Sequence, residues 1–189
     1  EALVKAFQIA RVGAAPGIFA RSQLDWLNAL YLRQTPPERL GDLLTPFWGQ
    51  AGVDRQAVEA RGRAWLAQAI PPFVERSKTL LELARSMAFL FAPPRERDPK
   101  AVATFLTVEH RVLLEEACRV LANIPDFSAE ALEQAIRRLA EARGKKLVEV
   151  AQPIRVALTG TTISPPLFPV LALLGREVVL ERLAQVLDR

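Results

Sequence analysis

Apolar residues recur at intervals of three and four along most of the chain. Leu24, Leu27, Leu30 and Tyr31, with Trp26 alongside, predict a first helix. Val58, Trp65, Leu66 and Ala69 predict a second, begun near Asp54. Leu80, Leu81, Leu83, Ala84 and Met87 mark a third, and Val112, Leu113, Ala117, Val120 and Leu121 a fourth. Ser128 is a good N-cap, with Phe127 and Leu132 spaced as a hydrophobic staple. Leu132, Ile136 and Leu139 continue that helix until Gly144. Val178, Val179, Leu180, Leu183 and Leu187 predict the last helix. Two-residue alternation is scarce, so little sheet is expected and the fold class reads as all-α.

Proline punctuates this pattern at Pro16-Gly17, Pro36-Pro37, Pro71-Pro72 and Pro93-Pro94. The most polar break is Pro93-Pro94-Arg95-Glu96-Arg97-Asp98-Pro99-Lys100, which places the main boundary there. An earlier boundary falls near Thr35-Pro36-Pro37. The division that follows is 1–36, 37–92 and 93–189. No fixed-period repeat supports a solenoid.

Composition narrows the classes. A chain of 189 residues, half of them apolar, can bury one or two real cores. The net charge of +4 fits a surface with one basic face and allows a polyanionic partner. Cys118 and His110 are single, so neither an internal disulfide nor a zinc site of the usual kinds can be built. Leu114, Cys118 and Leu121 share one helical face, which makes Cys118 a core thiol, and one cysteine fits a cytosolic setting. His110 reads as a surface or capping residue. No stretch reaches the roughly 18 to 20 apolar residues of a membrane span. No signal peptide is visible, and the chain starts at Glu1, so it is expected to be a piece of something longer. There is no Gly-rich phosphate loop, paired-histidine motif or serine elbow. The pairs Glu115-Glu116 and Glu130/Glu133 read as solvated faces. No catalytic and no metal-binding residue is predicted.

The chemistry concentrates toward the C-terminus. Arg137, Arg138, Arg143, Lys145 and Lys146 precede the segment Gln152-Pro153-Ile154-Arg155-Val156-Ala157-Leu158-Thr159-Gly160. Pro153 suits the first turn of a helix and Gly160 a left-handed stop. Gln152, Arg155 and Thr159 then fall on one stripe that opens onto Thr161, Thr162 and Ser164. A guanidinium beside several hydroxyls suits unpaired base edges and phosphates. Arg76, in Glu75-Arg76-Ser77-Lys78-Thr79-Leu80, has a plainer alternative, a local ion pair with Glu75 or Glu82.

Leu24-Asp25-Trp26-Leu27-Asn28 with Tyr31 and Arg33, then Glu75-Arg76-Ser77-Lys78-Thr79-Leu80, the Arg137 helix, and Gln152-Pro153-Ile154-Arg155 through Gly175 follow one order. That order and spacing resemble the C-terminal part of bacterial glutamyl-tRNA synthetases, over essentially the whole chain. The resemblance implies a helical, class I anticodon-binding region in two consecutive bundles, 37–92 and 93–189. Residues 1–36 would be the tail of a domain that touches the tRNA stem. The nucleotide-binding fold of the family is missing, so no cofactor is implied here, whereas the parent enzyme would use ATP and magnesium.

By position, the resemblance gives Arg76 the third anticodon base, and Arg155, Ser164, Pro165 and Leu167 the pocket for the others. Pro165 and Leu167 would offer apolar surface to a splayed base. Arg137, Arg138, Lys145 and Lys146 would meet the tRNA backbone. Three positions depart from the pattern: Gln23 replaces a common lysine, Ser164 a threonine and Pro166 a glycine. The implied partner is a glutamate tRNA, with no DNA and no membrane, and a cytoplasmic monomer is expected. Two rival readings are a helical DNA-binding module built on the Arg137 helix and a protein-interaction scaffold.

Overall fold

The helices begin and end where short side chains and special backbones dictate. The computed structural model describes Phe7 and residues 20–188. The Pro16-Gly17 break, and with it nearly all of the expected tail before Arg21, lies outside the described residues. Among those residues the regular structure is helical throughout, with no strand: α1 (Arg21–Gln34), α2 (Pro37–Leu44), α3 (Arg55–Arg61), α4 (Arg63–Ala69), α5 (Pro71–Val74), α6 (Leu80–Met87), α7 (Pro99–Phe105), α8 (Val108–Asn123), α9 (Ala129–Ala142), α10 (Leu147–Thr159), α11 (Leu167–Leu174) and α12 (Arg176–Leu187). Asp54, Thr79, Asp98 and Ser128 each accept a hydrogen bond from a first-turn N–H, at 2.9, 3.1, 2.9 and 3.4 Å. Caps of this kind are worth about 1 kcal/mol each. Both residues spaced as a staple face inward: Leu132 is fully buried and Phe127 packs against the core.

Three expectations are corrected. The helix begun at Asp54 is two helices, because Gly62 takes φ 79° and ψ 161° and breaks the run between α3 and α4. The Arg155 helix starts at Leu147 rather than at Pro153. Its N-terminus is fixed by Glu149, whose carboxylate accepts from the Lys146 N–H at 2.7 Å. Pro153 therefore lies in the helix interior, buried, and leaves the Glu149 carbonyl without its usual i+4 donor. Finally, α1 turns Ala29 and Leu32 inward, while Leu24, Trp26, Leu27 and Tyr31 stay exposed. The rest of the described chain covers only one side of α1.

Helices α2, α4 and α6 pack around Leu40, Leu44, Leu66, Ile70 and Leu83. Helix α10 is the hub of the second group, touching α7, α8, α9 and α12. Most of its side chains are buried, which is why it carries so little charge. Buried apolar residues from Leu32 to Leu183 form one continuous cluster.

Residues 91–98 connect the two groups without helix and lie across the C-terminal end of α10. The Asp98 N–H donates to the Gly160 carbonyl at 2.8 Å, and Arg97 Nη2 to Ala157 O at 3.3 Å. Gly160 ends α10 in the left-handed conformation, φ 77° and ψ −1°, as its sequence position predicts.

Candidate nucleic-acid interface

The loop between α10 and α11 is held from both helical groups. Arg155 stands near the C-terminal end of α10. Its Nη1 donates to the Ser164 hydroxyl, to the Pro165 carbonyl at 2.8 Å and more weakly to the Ser164 carbonyl at 3.4 Å. Arg76, in the turn between α5 and α6, donates Nη1 to the same Ser164 carbonyl at 3.0 Å. Hydroxyls stiffen the loop further. Thr159 Oγ1 donates to Thr161 O at 3.2 Å and Thr161 Oγ1 to Ile163 O at 2.7 Å.

Beside this junction lies a cleft of about 380 Å³, lined among others by Phe73, Arg76, Arg85, Phe89, Ile163 and Ser164, and by no carboxylate. The two acids near Arg76 are engaged elsewhere. Glu75 pairs with Arg33 at 3.3 Å, and Glu82 accepts from the Lys78 N–H at 2.8 Å. The local ion pair expected as the plainer role of Arg76 therefore does not form. Burial first, and then the Arg76 charge, hold the Arg155 guanidinium pKa below its ordinary value. It remains cationic at neutral pH, since arginine starts far above 7. Arg155 Nε is buried without an acceptor. Two cations thus meet neutral oxygens and no anion, an arrangement that attracts phosphates and the acceptor edges of bases.

The predicted residues separate. Arg76, Arg155, Ser164 and Pro165 come together. Pro165 is buried, and Leu167, which starts α11, is only 3% exposed, so neither presents the apolar surface expected under a base. Helix α11 packs on α9 and α12, and that packing takes the Leu167 side chain inward. Ile163 is the large apolar side chain that the loop exposes, at 76%, with Pro166 exposed beside the start of α11. It follows a threonine pair, and no helical period marks it.

Arg137, Arg138, Lys145 and Lys146 are exposed but do not line the cleft. Arg137 is tied to Glu133 at 2.6 Å and Lys145 approaches Glu149 at 3.7 Å. Lys146 lies nine residues before Arg155, so it sits roughly 14 Å away along the α10 axis, at 1.5 Å per residue. Arg85, missed in the sequence, faces the cleft from the last turn of α6, where a cation reads simply as a dipole partner.

Elsewhere the single residues behave as side chains of the frame. Cys118 is half-buried against the core, and burial, then Glu115, push its thiol pKa up. His110 Nδ1 and Thr107 Oγ1 share a hydrogen bond of 2.8 Å at the start of α8. No described helix is long and apolar enough to cross a membrane.

Comparison with known proteins follows the same line. Residues 39–187 match the model of a family described as the anticodon binding domain. The chain is 36% identical over 188 residues to a glutamate–tRNA ligase of Thermodesulfovibrio yellowstonii, all of this chain and 40% of that protein. It is 41% identical over 181 residues to glutamate–tRNA ligase 2 of Rhodospirillum centenum, 94% of this chain and 37% of that protein. The chain thus spans about two fifths of the curated relatives it matches. A solved glutamate tRNA ligase from Elizabethkingia meningosepticum superposes with a TM-score of 0.82 at 23% identity, over 96% of this chain and 35% of that one.

Proposed function

This chain belongs to the anticodon-binding domain family, and we propose that it reads the anticodon of a glutamate tRNA on behalf of a longer glutamate–tRNA ligase. The observation that carries this reading is the convergence of Arg76 and Arg155 on Ser164 beside a cleft without carboxylates. An anticodon loop presents unstacked bases with free pairing edges. Arg76 would donate to the acceptor edge of the third base. Arg155, with Ser164 and Pro165, would hold the bend that receives the others. Ile163 offers apolar surface for a splayed base, and Phe73 and Phe89 line the wall behind it. Backbone phosphates would meet Arg137, Arg138, Lys145 and Lys146, which give affinity without reading sequence.

In the intact enzyme, glutamate and ATP would form glutamyl-adenylate, with magnesium, and the glutamyl group would pass to the tRNA 3′ end. Those steps belong to the part that lies outside this chain. A monomer in the cytoplasm is the setting we assign to it.

The test is fluorescence anisotropy with a labelled glutamate anticodon stem–loop. Arg155→Ala should weaken binding by about 1–3 kcal/mol, the range for losing the charged hydrogen bonds that shape the bend. Equal binding by mutant and wild type, or equal competition by duplex DNA at matched salt, would sink the reading.

A further inference from the structure

Arg182 is a charged residue with a nearly complete burial that anticodon reading by itself does not explain. It lies on α12, is 4% exposed and forms no ion pair among the described residues. Burial pushes its pKa down to about 10, and the nearby Arg61 charge adds to that while Glu181 opposes it. A buried cation without a carboxylate is costly, so the fold keeps it for what it holds. What it holds is the Phe89 carbonyl, which accepts from Arg182 Nη1 at 2.6 Å across 93 positions of sequence.

Phe89 belongs to the short 3₁₀ turn after α6 and lines the cleft. Its ring packs on Phe73 with centroids 5.9 Å apart. The Phe73 carbonyl in turn accepts from the Arg76 N–H at 3.2 Å and from the Ser77 hydroxyl at 3.0 Å. A continuous set of contacts therefore runs from α12, through the two phenylalanines, to the backbone that carries Arg76.

We propose that Arg182 is a positioning residue for the cleft: by gripping the Phe89 carbonyl it fixes the Phe73–Phe89 wall and so aims the Arg76 guanidinium at Ser164. The consequence for RNA rests on the reading of the cleft given above; the consequence for Arg76 does not. Intermediacy in space is not coupling, so the decisive measurement is a double-mutant cycle.

Stem–loop affinity is measured for wild type, Arg182→Met, Arg76→Ala and the double variant. Arg182→Met should weaken binding about tenfold in the wild-type background and less than about twofold when Arg76 is already alanine, a coupling of the size shown by residues of one network. An equal loss in both backgrounds makes Arg182 a general stabiliser and overturns the proposal. Amide hydrogen exchange without RNA supplies the second readout. Exchange at Arg76 and Ser77 should rise about tenfold or more in Arg182→Met while that within α9 stays unchanged, as for a local opening. Unaltered exchange at Arg76, or a rise throughout the chain, refutes the positioning role. Arg182→Lys keeps a cationic donor and should recover part of both signals; if the methionine variant does not fold, the lysine variant is compared with wild type in the same two assays. Should wild type itself fail to bind the stem–loop, the RNA reading falls, and exchange still decides the case of Arg182.

Discussion

Gly160 lies so near Glu96 that a Cβ on it would stand 2.9 Å from the Glu96 carbonyl oxygen and 3.2 Å from Pro94 Cβ. Its φ of 77° is also one that side-chain-bearing residues avoid. Both constraints act at the point where the connector between the helical groups crosses the end of α10. We predict that Gly160→Ala destabilises the chain by about 2–4 kcal/mol, a left-handed penalty plus a backbone clash. Urea unfolding at constant m-value is the check, and a loss under about 1 kcal/mol would show that the connector moves aside freely.

Arg76→Gln should leave the fold intact, since Arg76 is exposed and its cleft contact is a single carbonyl. Glutamine keeps a donor and an acceptor but loses the charge and the fork. Discrimination between cytosine and guanine at the third anticodon base is expected to fall by roughly tenfold, within the range for one base contact. Paired titrations with stem–loops differing only at that base decide it. An unchanged ratio would remove Arg76 from base reading.

The frame was more legible in the sequence than the site. Asp54, Ser128 and Gly160 announce their roles because caps and left-handed stops are decided within a few residues. The Lys146–Glu149 start of α10 carries little sequence signal, because lysine is a poor capping residue and Pro153 offers a stronger one further on. The exposed Leu24, Trp26, Leu27 and Tyr31 show the limit of periodicity: it identifies an apolar face and not what covers it. The sequence marks Arg76 and Arg155 separately, whereas their meeting at Ser164 joins arginines 79 positions apart and is a tertiary fact. Arg85 had no signal for the same reason.

Salt dependence separates the cleft from the outlying basic residues. If Lys146 meets a phosphate, Lys146→Gln should reduce the slope of log affinity against log salt by about 0.7, the value for a single-stranded contact. Preference among anticodon bases should not change. A variant that keeps the wild-type slope would place the RNA backbone elsewhere.

Cys118 gives a pH test of the frame. Its thiol pKa is raised, so the neutral thiol is favoured in the folded state. The stabilisation this implies is present below the unfolded thiol value and is lost as pH rises through the folded one. Alkylation by iodoacetamide near pH 8.5 should be several-fold slower than for the unfolded chain, because the thiolate is the nucleophile. A rate equal to that of the unfolded chain would mean that Cys118 is not held against the core.

Leu167 and Ile163 lie four residues apart in one loop-to-helix passage, and they should fail in opposite ways. Leu167 is 3% exposed and Ile163 is 76% exposed. Leu167→Ala removes core volume and should cost about 2–4 kcal/mol of stability. Its effect on RNA should follow that loss and vanish at temperatures where both proteins are fully folded. Ile163→Ala removes little buried surface and should leave the unfolding free energy within about 0.5 kcal/mol of wild type. It should still weaken the stem–loop complex by about 1 kcal/mol or more if a base stacks against it. The two variants, compared by thermal unfolding and anisotropy on the same samples, assign the apolar contact to one side chain. A binding loss confined to Leu167→Ala in fully folded protein would return the stacking role to Leu167 and require α11 to turn outward when RNA arrives.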